Sequence, residues 1–189
     1  MKVSREQASE NRRRIVKTAA RLFREHGLDG IGVAELMKQA GLTHGGFYGH
    51  FQSKDELMAE ACDEAIEQTG QYWQRHPELS PAAMIDRYLT PLHRDHPGNG
   101  CVVAALANDV AHREGRIRQS YTRSARRLIG LIAERLPGAE ERRQRKAMAV
   151  CAGMVGGLIL ARAVDDDVLS RDILEAVAAE LSEIASTRH

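Results

Sequence analysis

An all-α fold follows from three features of the sequence. Apolar residues recur at three- and four-residue intervals, as in Val33, Leu36 and Met37 or Ile173, Val177, Leu181 and Ile184, which is the spacing of one helix face. No apolar–polar alternation of strand length interrupts them. Alanine, leucine, arginine and glutamate are abundant and aromatic residues make up only 4%, a composition that favours helix over sheet. At 189 residues the chain holds one ordinary domain, or two small ones sharing a core.

Nine helices are expected. The first covers about residues 5–26, with Ile15, Ala19, Leu22 and Phe23 inward and Gly27 as its stop. A second runs from Val33 through Ala40 and ends at Gly41, the residue that adopts a left-handed cap most cheaply. Thr43 is placed to cap a short third helix, in which Phe47 and Phe51, four apart, pack inward. Ser53 and Glu56 form an S-x-x-E capping box that opens a long fourth helix reaching about Arg75. Ser80-Pro81 starts a fifth, which Pro91 kinks or ends near Leu92, and His93 to Gly100 has the composition of a loop. A sixth spans about 101–113, a seventh 116–136 and an eighth 139–164 after the Pro137-Gly138 turn. The ninth spans 170–186.

The second and third helices, joined by a turn containing Gly41, describe a helix-turn-helix, whose second helix enters the major groove of DNA. Gly45 and Gly46 make that helix intrinsically poor, at about 1 kcal/mol each relative to alanine, a choice that makes sense where the backbone must approach another surface closely. The residues Ala40-Gly41-Leu42-Thr43, Phe47-Tyr48-Gly49-His50-Phe51 and Lys54-Asp55-Glu56-Leu57, with Arg13, Ile15, Ala19, Ala20, Leu22 and Phe23 before them, resemble the pattern of TetR family transcriptional repressors over about a quarter of the chain. One position departs: Gly32 stands where that family usually has a threonine that caps the second helix and touches phosphate.

The resemblance implies a division into residues 1–52, a DNA-binding domain, and 53–189, an effector-binding and dimerisation domain. It implies a homodimer held by a four-helix bundle of the last two helices of each chain, so that two readers meet a palindromic double-stranded operator. It also implies a small-molecule effector pocket among the fourth to seventh helices. The expected DNA-binding residues are Thr43 and His44 at base edges, Gly45 and Gly46 for close approach, and Tyr48, His50 and Lys54 at phosphates. Trp73, Tyr88, Leu92, Cys101, Leu106, Tyr121 and Leu128 are candidate pocket walls, each of which reads first as plain core.

The eighth helix is apolar on several faces after Ala147, more than a monomer of this size covers, and is expected to be buried on most sides within protein rather than to span a membrane. Gly153 and Gly157, with Met154, are expected to admit a partner helix, and Ile173, Val177 and Leu181 to complete the dimer interface.

A net charge of +1 announces no polyanion partner, but between Met1 and Arg24 eight cations face only Glu6 and Glu10, so positive charge collects ahead of the reader. No apolar leader follows the start, which points to the cytoplasm. Three separated cysteines argue against a disulfide framework. Cys101, after a glycine-rich loop at a helix start, reads either as an inert buried thiol or as a sensor of electrophiles. His93, Asp95 and His96 lack the spacing of helical metal ligands, and no phosphate-binding loop or dinucleotide fingerprint occurs. The expectation is therefore a ligand-responsive repressor without metal, cofactor or enzymatic activity. A helical enzyme built on His93, Asp95, His96 or Cys101 and a partner-binding helical protein are the alternatives.

Overall fold

The computed structural model describes residues 4–187, and among them every regular element is helical. The α-helices are α1 (Arg5–His26), α2 (Val33–Gln39), α3 (Lys54–Gln74), α4 (Pro81–Tyr88), α5 (Pro91–Asp95), α6 (Val102–Ala111), α7 (Gly115–Ala133), α8 (Glu140–Ala163) and α9 (Asp167–Ser186). Short 3-10 turns cover His44–Gly49 and Pro97–Asn99.

Most boundaries follow from caps. Ser4 accepts the Gln7 amide and opens α1. Ala40 and Gly41 close α2 in a Schellman arrangement: Gly41, at φ 67°, donates its amide to Lys38 and the next amide, Leu42, reaches back to Met37. Ser53 accepts the Glu56 amide at 3.1 Å, and the Glu56 carboxylate accepts from the Gln52 amide at 2.7 Å, one residue before the expected partner.

Three expectations give way to local chemistry. The third helix is a single 3-10 segment, with Gly46 bonded back to Thr43 and His50 to Phe47, because three glycines in six residues remove the propensity that would sustain an α-helix. The fifth helix is two, since Thr90 takes an extended conformation before Pro91, caps the His93 amide, and makes proline the first residue of a new helix rather than the end of an old one. The ninth helix starts three residues early, because Asp166 accepts the amides of Val168 and Leu169.

One core runs through the chain. α1 packs on α3, α3 on α7, α7 on α8 and α8 on α9, with α4 against α9. Phe23, Phe47, Phe51, Leu36 and Met37 fill the part under the reading segment, and Leu106, Leu128, Met154 and Leu158 fill the part beyond it. α3 belongs to both, as its first turns close the helix-turn-helix and its last turns reach Trp73. Polar clamps fix the junction between the two: the Leu28 amide donates to Asp109 at 2.7 Å, Arg24 donates to the Gly100 carbonyl at 2.9 Å, and Arg113 grips both carboxylate oxygens of Asp29 at 2.6 Å.

α8 is apolar and long enough to cross a membrane by length and composition, yet it packs between α7 and α9. Within the single chain 39% of its most apolar stretch is buried, so its own chain covers α8 along one side. Ala147, Val150, Cys151, Met154, Leu158 and Ala161 turn inward, while Met148, Ala152, Ile159 and Leu160 face out.

Candidate nucleic-acid interface and effector cavity

The reading segment is a tip built on a buried floor. Phe47 and Phe51 are 1% and 2% exposed and stack at 5.6 Å between ring centroids, while Tyr48, edge-on to Phe47, is 71% exposed. Thr43, His44 and Gly45 are exposed and Gly46 and His50 half-buried. Thr43 occupies the cap position but its hydroxyl bonds no backbone amide, so it is a free polar group at the segment's start. Lys54 is half-buried, its ammonium lying 5.9 Å from the centre of the Phe23 ring.

Neither Gly45 nor Gly46 has a positive φ, and a methyl group on Gly45 would meet nothing within 4 Å. One on Gly46 would make ordinary contacts with Thr43 and Met37. Nothing inside the chain requires these glycines. Gly32 does cap α2 by backbone alone, and a side chain there would likewise find open space.

The basic run on α1 is partly occupied. Arg12 pairs with Glu60 and Glu56, and its guanidinium lies 4.4 Å from the centre of the Phe51 ring, so it braces α1 against α3. Arg13 pairs with Glu10 and Arg14 with Asn11, but both remain exposed, as does Lys17.

Of the seven expected pocket residues, Trp73, Tyr88, Leu92 and Cys101 line one cavity of about 440 Å³. Leu106 and Leu128 are core, and Tyr121 donates its hydroxyl to the Val103 carbonyl at 2.9 Å outside that cavity. Arg24 of α1, Gln68 and Thr69 of α3, and His93 join the wall. Arg24 escaped the sequence reading because in helical register it belonged with the solvated basic face; it is 7% exposed.

His93 is locked by its neighbours. Its Nε2 accepts the Cys101 amide at 2.9 Å, which leaves Nδ1–H to donate to the Tyr88 carbonyl at 2.7 Å. Burial lowers its pKa to about 4, with Arg162 and Arg24 adding to the effect of burial. Asp95 pairs with Arg94, so the histidine-rich turn presents no set of free ligands. Burial raises the Tyr88 hydroxyl well above its ordinary range and keeps it a donor.

At the far end, Gly153 and Gly157 do admit a helix closely, but it is α9 of the same chain: a methyl on Gly153 would lie 2.7 Å from Leu181, and one on Gly157 would lie 3.1 Å from Val177. Met154 is wholly buried, Leu181 is 6% exposed, and Ile173 and Val177 are half-buried. The surface these helices leave open is formed instead by Met148, Ile159 and Leu160 of α8 and Val168, Leu169 and Ile184 of α9.

Comparison with known proteins places the tip and its floor in a recognised unit. The family model for bacterial regulatory proteins of the tetR family matches residues 15–61. YerO of Bacillus subtilis, an HTH-type transcriptional regulator, is 38% identical over 55 residues, which are 29% of this chain and 19% of that protein. LmrA of Bacillus subtilis, another HTH-type transcriptional regulator, is 28% identical over 160 residues, covering 80% of this chain and 85% of LmrA. Thus the match spans about a fifth of the first relative and most of the second. The fold is shared by the reduced form of Escherichia coli NemR, with TM-score 0.76 and 21% identity over 94% of this chain and 98% of that one. It is shared also by AibR in complex with isovaleryl coenzyme A and operator DNA, with TM-score 0.61 and 15% identity over 90% and 97%. Residues 15–61, with the helix-turn-helix and its glycine-rich tip, thus carry the unit that defines the tetR family of bacterial regulatory proteins, and the chain as a whole shares the all-helical fold of these solved regulators.

Proposed function

We propose that this protein is a ligand-responsive transcriptional repressor that binds a palindromic operator as a homodimer. The observation that carries the reading is the tip: exposed Thr43, His44 and Tyr48 flank two glycines that the chain's own packing does not need. In this reading Thr43 and His44 meet base edges, Gly45 and Gly46 let the backbone approach, and Tyr48, His50 and Lys54 position the segment on phosphates. α8 and α9 form the dimer seam through their open apolar surface, with Met154 and Leu181 supporting it from behind. Two tips then face successive major grooves on one side of the duplex.

The cavity at the far end of α3 receives the effector. Occupancy favours a tilt of α3 that separates the tips, and a coupling of about 1–3 kcal/mol changes operator affinity about 5- to 150-fold. AibR, whose solved complex holds both a coenzyme A thioester and operator DNA, supports such coupling on this fold. Cys101, 4% exposed and on the cavity wall, is where an electrophilic effector would attach.

Selection of bound duplexes from a random library, followed by footprinting, tests the reading. A two-fold symmetric site bound by a dimer is expected, and Tyr48→Phe should weaken it without altering sedimentation. A sequence-independent footprint, or a monomer at micromolar concentration, overturns it. Loss of operator release by an electrophile in Cys101→Ser is expected if attachment there is the signal; unchanged release removes Cys101 from the mechanism.

A further inference from the structure

The effector cavity is charged in one sense. Two arginines, Arg24 within and Arg87 at the mouth, line it, and no aspartate or glutamate does, in a chain with 26 acidic residues against 27 lysines and arginines. Arg87 is exposed and donates to the Tyr72 hydroxyl at 2.9 Å. Arg24 is the unusual member. It is more than nine-tenths buried, yet no carboxylate pairs with it: its bonds go to the Gly100 carbonyl at 2.9 Å and to Gln68 at 3.4 Å, and its Nε–H reaches no acceptor. The acids nearest to it are engaged elsewhere, Glu25 with Arg21 and Glu64 with Gln68. A buried cation without a counter-charge is costly, and an orphan donor on it adds to the cost.

A second orphan belongs to another residue of the same cavity wall. The Tyr88 hydroxyl is also more than nine-tenths buried, and the Cys101 sulfur beside it gives no well-formed hydrogen bond. Arg24 bonds the Gly100 carbonyl and Tyr88 lies by Cys101, and both residues line the same cavity, their unpartnered donor atoms sealed just behind its surface; the remaining wall includes Trp73 and Leu92. Two buried donors and a net positive wall ask for an acceptor that carries negative charge; the apolar remainder asks for a hydrocarbon body.

We propose that the effector is an organic acid whose carboxylate docks on Arg24 Nε and the Tyr88 hydroxyl while its apolar body lies against Trp73 and Leu92. This rests on the reading of the cavity as the effector site and adds the ligand's chemical class. It also gives the signal a short route, because Arg24 belongs to α1, the first helix of the reading module. A carboxylate drawn to it acts on that module directly as well as through α3.

Trp73 is the chain's single tryptophan and lines the cavity, so its emission reports occupancy. The probes are 3-phenylpropanoate and octanoate, each beside its neutral amide, titrated by Trp73 fluorescence and by calorimetry on the full-length protein. Each acid is expected to bind at least about tenfold tighter than its amide, the ratio falling to near one in Arg24→Met and shrinking several-fold in Tyr88→Phe. Should Arg24→Met fail to fold, as melting would reveal, the Tyr88→Phe ratio decides. Equal binding of acid and amide to wild type, or a preference that survives in the variants, overturns the anion site while leaving the cavity as an effector site. No response to either acid or either amide overturns both.

Discussion

Two glycine pairs, adjacent Gly45 and Gly46 at the tip and Gly153 and Gly157 four apart in α8, both suggest close approach and differ in what meets them. Gly153 and Gly157 are pressed by Leu181 and Val177 of the chain's own α9, whereas Gly45 has nothing within 4 Å of where a side chain would stand and Gly46 has only ordinary neighbours. The first pair is fully used inside one folded chain. The second is unused inside the chain, which the proposed DNA contact requires. A glycine in a sequence therefore declares that closeness is wanted, and only the fold tells whether the want is met.

The largest expected effect probes the satisfied interior. His93 holds Tyr88 and Cys101 together in its neutral form, and its pKa is depressed from 6.5 to about 4. Between those values the unfolded chain takes up a proton that the folded one refuses, so stability is retained above pH 6.5 and lost as pH falls toward 4, by up to about 3 kcal/mol. Urea melts from pH 7 to 4 check this, and His93→Gln should flatten the dependence; a profile unchanged by that substitution would show the histidine to be incidental. Next, Gly157→Val should cost about 2 kcal/mol by overpacking against the stiff Val177 side chain. A variant as stable as wild type would break the contrast between the pairs.

Gly45→Ala should do the opposite at the tip. It should stabilise the free protein by about 0.4–1 kcal/mol and weaken operator binding about tenfold, since the added methyl meets DNA rather than protein. Binding as tight as wild type in a gel-shift titration would mean that Gly45 makes no close approach. The smallest effect is expected of Gly32→Thr, which offers α2 a side-chain cap in open space: about 0.3 kcal/mol of stability, read from the denaturation midpoint, with tighter DNA binding if the hydroxyl also meets phosphate.

The helical architecture was legible because periodicity, serine caps and glycine stops agree, as at Ser53, Ser80 and Gly41. The Phe47–Phe51 floor was legible for the same reason. Errors cluster where one residue has two grammatical roles: Pro91 ends a helix or begins one, and only the extended Thr90 decides. Asp166 looked like linker and is a cap. The cavity was half legible. Aromatic and sulfur-bearing walls stand out in sequence, but Arg24 is a core cation only because the 97–101 turn folds over the end of α1, a pairing across more than seventy residues that no local pattern encodes. For Gly153 and Gly157 the spacing foretold a close helix, and the pattern alone had no means of saying whose.

α3 is a single unbroken rod of 21 residues, about 31 Å long, with the tip at its first turn and the cavity wall at its last. A rotation of only 5° about one end would carry the other through about 3 Å, close to the 3.4 Å that separates successive bases along a strand. In the proposed function, rigid geometry of that length would turn a displacement no larger than a side-chain adjustment into a loss of registry with the groove.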